Sequence, residues 1–187
     1  MEMYMSTAMS TDSSKSHSKS LLVVIDMQQD FISGSLGSKE AEKVVSKVEQ
    51  KISRHEGLLA YTLDTHQSDY LATSEGRHLA VEHCIKGSEG HSLVPSLQRL
   101  LSTAHCFEKP TFGSVALAQW ISLHPEISQV QLVGVCTDIC VVSNALLIKA
   151  FCPELPIVVD SACCAGTSIQ AHHAALETMR SCQIEVF

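Results

Sequence analysis

The chain has 187 residues, of which 45% are hydrophobic and 18% charged, and a formal net charge of −7. That length supports one well-buried core and leaves little room for a second, and the acidic balance argues against electrostatic binding to nucleic acid. The apolar stretches at 21–25, 130–135 and 141–148 are too short to span a bilayer, so no membrane partner is expected either.

Residues 1–19 are rich in Ser, Thr and Met, include Lys15 and Lys19, and lack the continuous apolar run of a secretory signal. They are expected to form a disordered tail ahead of a single domain spanning 20–187. Eight cysteines without an export signal point to reduced thiols in the cytoplasm, and no pair has the C-x-x-C spacing of a zinc ribbon or thioredoxin site.

The unalternating run at 21–25 predicts a strand buried on both faces, followed by a helix over 38–54. Gly57 leads into a strand at 58–63, and a helix over 93–101, opened by Pro95, precedes a strand at 105–108. A helix over 114–123, a strand at 130–135 and a helix over 141–150 come next, then a strand at 157–159, a helix over 169–181 and a last strand at 184–187. Strands alternating with helices predict an α/β protein of three-layer, Rossmann-like build, its central, mainly parallel sheet flanked by helices.

In such sheets ligands bind outside the carboxyl ends of the strands. The residues expected there are Asp26 after the first strand, Asp64 and His66 after the second, Lys109 after the third, Cys136 to Cys140 after the fourth and Asp160 after the fifth. The turn Asp26-Met27-Gln28-Gln29-Asp30-Phe31 has no glycine-rich approach for a pyrophosphate, which excludes a nicotinamide-dinucleotide dehydrogenase. Cys140 falls on the first turn of a helix, where free amides and the helix dipole favour an anion, so its thiol is expected to ionise easily. Each residue also has a structural reading. An aspartate after a strand often forms a turn or cap, Lys-Pro often marks a surface turn, His66 and His83 serve equally as hydrogen-bonded histidines, and free cysteines are commonly small buried hydrophobes. That last fate is expected for Cys84, Cys152, Cys163, Cys164 and Cys182.

Taken in order, Val24-Ile25-Asp26-Met27-Gln28-Gln29-Asp30-Phe31, Asp64-Thr65-His66, His83-Cys84-Ile85-Lys86-Gly87-Ser88-Glu89-Gly90, Lys109 and Gly134-Val135-Cys136-Thr137-Asp138-Ile139-Cys140 resemble the isochorismatase-like cysteine hydrolases, and within them the nicotinamidase branch. The resemblance runs from about residue 21 to the C-terminus. It implies the isochorismatase-like hydrolase fold and a catalytic triad in which Cys140 is the nucleophile, Asp26 moves the proton and Lys109 holds the charged forms. It also implies an oxyanion hole from the backbone amides of Cys136 and Cys140, in a turn that in this family often has a cis peptide before Cys136. By the same resemblance Asp64, His66 and His83 would hold a divalent metal, zinc or else iron or manganese, with Glu75 as fourth ligand and Asp69, His78 and Glu82 as rivals for that place. Phe31 and Phe112 would wall the substrate pocket. The implied activity is that of a metal-containing cysteine amidohydrolase. It would cleave a small, heteroaromatic amide to acid and ammonia through a thioester on Cys140, in a homo-oligomer.

One departure bears on the substrate. Nicotinamidases commonly carry a tryptophan shortly before the position of His83, where this chain has Leu79-Ala80-Val81-Glu82, and its single tryptophan is Trp120. The alternatives are a family hydrolase acting on another small C–N or ether substrate, and a binding module whose chemistry has lapsed. The mark of the latter would be a missing triad member, and all three are present.

Overall fold

The computed structural model describes residues 19–187. The tail expected at 1–19 lies outside the described residues, except that Lys19 already pairs with Ile127 in the first strand. The strands are β1 (Lys19–Ile25), β2 (Leu58–Asp64), β3 (His105–Lys109), β4 (Ile127–Val135), β5 (Ile157–Ala165) and β6 (Glu185–Val186). They form one six-stranded sheet, parallel throughout, in the order β3-β2-β1-β4-β5-β6.

Both faces of the sheet are covered, which is why the central strands read as continuous apolar runs. Leu21, Val23 and Ile25 of β1 face one core with α5 (Val115–Ser122), α6 (Val142–Phe151) and α7 (Ile169–Ser181). The alternate residues Leu22 and Val24 face the other, with α1 (Gln29–Ile32), α2 (Lys39–Arg54) and α4 (Pro95–Leu100). α2 shows how sequence sets this arrangement. Ser38 caps it by accepting from the Ala41 amide at 3.1 Å, its acids lie in the first turn and its bases in the last, and Ala41, Val44, Val48 and Ile52 form its buried stripe. Each large aliphatic side chain so buried contributes about 1.5–3 kcal/mol.

Several element ends differ from the sequence expectation. β4 starts three residues early, at Ile127, and β5 runs on to Ala165, past the break in its apolar run at Asp160 and Ser161. Asp160 is therefore inside β5, paired with Lys51 at 2.7 Å, and not at the sheet's carboxyl edge. The short helices α1 and α3 (Ser74–His78) are too brief for periodicity to reveal. A π-helical turn, Thr137–Val141, precedes α6, so Cys140 sits in the turn ahead of the helix and not on its first regular turn. Among the cysteines expected to be buried, Cys84, Cys163 and Cys164 are buried, Cys152 is half-buried, and Cys182 is exposed because it lies beyond the last turn of α7. Among the described residues no helix is long and apolar enough to cross a membrane.

Candidate active site

Strand order reverses between β1 and β4: β1 leads outward to β2 and β4 outward to β5. The connections leaving the two strands diverge, and the crevice between them is where parallel α/β sheets bind ligands. Asp26 directly follows β1 and Cys140 follows β4, so the two are brought together from opposite sides of that crevice. The strands approach so closely here that a Cβ on Gly134, whose φ is 119°, would run into the Ile25 carbonyl. The Val135–Cys136 peptide that follows is cis.

Asp26 is fully buried, with φ of 46°, a left-handed conformation that a non-glycine residue holds only when its surroundings over-determine it. Thr62 on β2 supplies that restraint: its hydroxyl accepts from the Asp26 amide at 3.2 Å and donates to Asp26 Oδ1 at 2.6 Å. Lys109, at the end of β3 and 1% exposed, points its ammonium among three acidic groups. Its Nζ lies 2.7 Å from Asp26 Oδ2, 3.0 Å from Asp64 Oδ1 and 3.4 Å from Cys140 Sγ.

Burial alone would pull the Lys109 pKa down, but Asp26, Cys140 and Asp64 together hold it well above the ordinary lysine value, so the ammonium stays charged. Burial pushes Asp26 up, against the opposing pull of Lys109 and the Thr62 hydroxyl. The Cys140 thiol is raised as well, by burial first and then by Asp26, with Lys109 pulling the other way. The easy ionisation expected from the helix start is thus overridden by desolvation. Cysteine and aspartate both disfavour charge, which suits one proton shared between them beside a permanent cation.

A second cluster adjoins the first. Asp64, His66, Glu75 and His83 each direct one ligand-type atom to a common place, all within 4.8 Å of one another. His66 Nε2 is buried without a hydrogen-bond partner, 2.8 Å from Asp64 Oδ2 and 3.8 Å from Glu75 Oε1. His83 Nδ1 lies 2.8 Å from the Val81 carbonyl, which assigns it the N–H and turns the lone pair of Nε2 toward the same carboxylates, 3.5 Å from Asp64 Oδ2. The buried, unpartnered nitrogen of His66 beside these carboxylates points to a cation among them, and two imidazoles with two carboxylates form a donor set of the kind that takes zinc, iron or manganese. The residues therefore fit a divalent ion. Glu75 reaches the cluster from α3, whose Gly76 packs so tightly on the Tyr70 carbonyl that a Cβ would not fit. The rivals Asp69, His78 and Glu82 are exposed and outside the cluster, although His78 lines the nearby cleft.

Both clusters open into one cleft of about 940 Å³, which Phe31 and Phe112 help to line. Phe31 is buried and its ring lies 5.5 Å from that of His83, whereas Phe112 is 42% exposed at the rim. Trp120 packs against His105, Phe107 and His124 and does not line this cleft.

Three supporting residues have roles that the sequence did not assign. Besides Thr62, the Gln28 side chain accepts from the Asp64 amide at 2.8 Å and donates to the carbonyls of Asp64 and His91, clamping the end of β2 to the turn after β1. Asn144 donates to the carbonyls of Cys140 and Phe112 and accepts from the Ser114 amide, tying the Cys140 turn to the segment after Lys109. A lone asparagine within the apolar run 141–150 was the available signal for that tie. Threonine inside a strand carries no such signal.

Fold and site define an α/β protein with a buried cysteine, aspartate and lysine beside a cluster able to hold a metal. The family model described as the isochorismatase domain matches residues 20–187, and the chain belongs to that family. Among solved structures it is similar to the nicotinamidase of Bacillus subtilis, at 25% identity and a TM-score of 0.75, over 90% of this chain and 98% of the other. It is also similar to the pyrazinamidase of Pyrococcus horikoshii in complex with zinc (23%, TM-score 0.76, 90% and 98% covered). A third likeness is to a protein of L. infantum in complex with nicotinate (20%, TM-score 0.77, 92% and 93% covered). The last two, below 25% identity, are likenesses of fold. No curated protein sequence matches the chain significantly.

Proposed function

We propose that this chain is a metal-dependent cysteine amidohydrolase that converts an amide of the nicotinamide type to the carboxylic acid and ammonia. The observation that carries the proposal is the position of Lys109 Nζ, within 3.4 Å of Cys140 Sγ, 2.7 Å of Asp26 and 3.0 Å of Asp64. A buried nucleophile, a proton carrier and a fixed cation at a strand-order reversal have little structural purpose and a clear chemical one. Family membership and the nicotinamidase and pyrazinamidase names of similar structures support the same reading.

In the proposed mechanism the Cys140 proton passes to Asp26 as the sulfur attacks the amide carbon, and the sulfur's developing charge is met by Lys109. The carbonyl oxygen, now negative, is received by the backbone amides of Cys136 and Cys140; losing one such donor typically costs about 3 kcal/mol of barrier height. Asp26 returns the proton to the nitrogen, ammonia leaves and a thioester remains on Cys140. Asp26 then takes a proton from an entering water, whose oxygen displaces the sulfur, and the acid and the thiol are regenerated. A divalent ion on Asp64, His66, Glu75 and His83 would supply Lewis acidity and a ligand position for a heteroatom of the substrate. Zinc is our first choice, with iron and manganese accommodated by the same donors. A reducing, cytoplasmic setting would keep Cys140 a free thiol, and a homo-oligomer is the expected assembly.

The test is ammonia release from a panel of primary amides, nicotinamide and pyrazinamide among them, by protein supplied with each metal, with and without chelator. Metal-dependent release is expected. Absence of release from every amide with every metal would sink the proposal.

A further inference from the structure

The reactive groups of the cleft lie deep, and its wall and rim combine apolar side chains with the polar Ser74, His78, Thr111 and Thr167. Asp64, His66, His83 and Cys140, the groups that would handle the amide, are all buried, at 6% exposure or less. Above them, Leu36 from the turn before α2 and Ile139 from the Cys140 turn are half-buried in the cleft wall. At the rim, Leu79 is 38% and Phe112 42% exposed. Leu79 lies in the segment where the sequence departs from the nicotinamidase pattern. The described residues lining the cleft include no lysine or arginine, and the nearby Lys109 is engaged by Asp26 and Asp64. An anionic substituent along the wall or rim would therefore find no lysine or arginine to pair with.

Size points the same way. A single-ring amide displaces on the order of 100 Å³, a few water molecules' worth at about 30 Å³ each. The cleft, at about 940 Å³, lies near the upper end of the range of about 300–1,000 Å³ for sites that enclose drug-sized ligands. A one-ring substrate reaching the floor would leave the apolar side chains of Leu36, Ile139, Leu79 and Phe112 in water.

Resting on the amidohydrolase reading above, we infer that the preferred substrate is an uncharged primary amide whose acyl group carries an apolar arm beyond its first ring, seated along Leu36, Ile139, Leu79 and Phe112. The arm is the part that selects the substrate, because the floor groups act on any amide that reaches them. Apolar contact of this kind is worth about a fourfold gain in kcat/KM per buried methylene.

The experiment measures kcat/KM for ammonia release by the metal-supplied protein from nicotinamide and from nicotinamides bearing methyl, propyl or phenyl groups at ring position 5 or 6. A rise of at least about tenfold from nicotinamide to the best member is expected, and Leu79→Ser, a rim substitution tolerated by the fold, should bring that ratio down about fivefold or more. Should nicotinamide be cleaved and every extended member be equal or worse, the arm is refuted while the amidohydrolase reading stands. A rise that Leu79→Ser and Leu36→Ser both leave intact overturns the assigned seat. No ammonia from any member refutes the amidohydrolase reading itself, and the inference with it.

Discussion

Asp64 and Lys109 are register partners across β2 and β3, and the lysine donates a hydrogen bond to Asp64 Oδ1 at 3.0 Å. The other oxygen, Oδ2, lies 2.8 Å from His66 Nε2 and 3.5 Å from His83 Nε2. One carboxylate thus borders both the cation beside Cys140 and the candidate metal cluster. Asp64→Asn should lower metal content and kcat together, as checked by elemental analysis and ammonia release on the same preparation.

Lys109→Met keeps an unbranched side chain, one atom shorter, and removes its charge. Asp26 and Asp64 would then be buried carboxylates without a cation, which costs about 3–5 kcal/mol when one partner of a buried ion pair is removed. Urea unfolding should report a loss of that size, and activity should fall with it. Wild-type stability in this variant would mean that the ion pairs do not form.

Metal content separates the ligands. His66→Ala should leave the protein with markedly less than one bound ion per chain, because a buried, unpartnered nitrogen is lost. Glu75→Gln should retain more, since Glu75 is the half-buried member of the cluster. Dialysis against a dilute chelator followed by elemental analysis distinguishes the two.

Asp26 must be ionised to take the Cys140 proton, and burial raises its pKa above its ordinary 3.8. The acid limb of kcat/KM against pH should therefore lie above that value, with activity lost as pH falls through the raised pKa. The Thr62 hydroxyl lowers the Asp26 pKa, so its loss in Thr62→Val should move the acid limb to higher pH. A purely structural threonine would leave the limb where it is.

Gly134→Ala tests the β1–β4 approach that holds Asp26 near Cys140. The added Cβ meets the Ile25 carbonyl at a φ of 119°, and backbone strain plus overpacking should destabilise the fold by about 2–5 kcal/mol, read by thermal unfolding.

The sheet was legible in the sequence because the central strands are buried on both faces, and runs such as 21–25 and 130–135 admit no helical face. What hid was set by neighbours in space. β5 continues past Asp160 and Ser161 because β4 pairs with it again at Cys164 and Ala165, a constraint its own residues do not carry. Asp160, chosen for its nearness to a strand end, was misjudged for the same reason. Desolvation of Cys140 was equally invisible, since local position suggests a dipole-stabilised thiolate and only the packed crevice reveals the burial that opposes it. Motif order brought Asp26, Lys109 and Cys140 into view, whereas Thr62, Gln28 and Asn144 emerge only from contacts 36, 36 and 30 residues apart in sequence.

The central claim is that Cys140 carries the acyl group, and ammonia release by metal-supplied wild type and Cys140→Ala, side by side on the best amide of the panel, tests it most directly. A loss on the order of a thousandfold or more in the variant, with metal content unchanged, is predicted. Undiminished release from Cys140→Ala would contradict it.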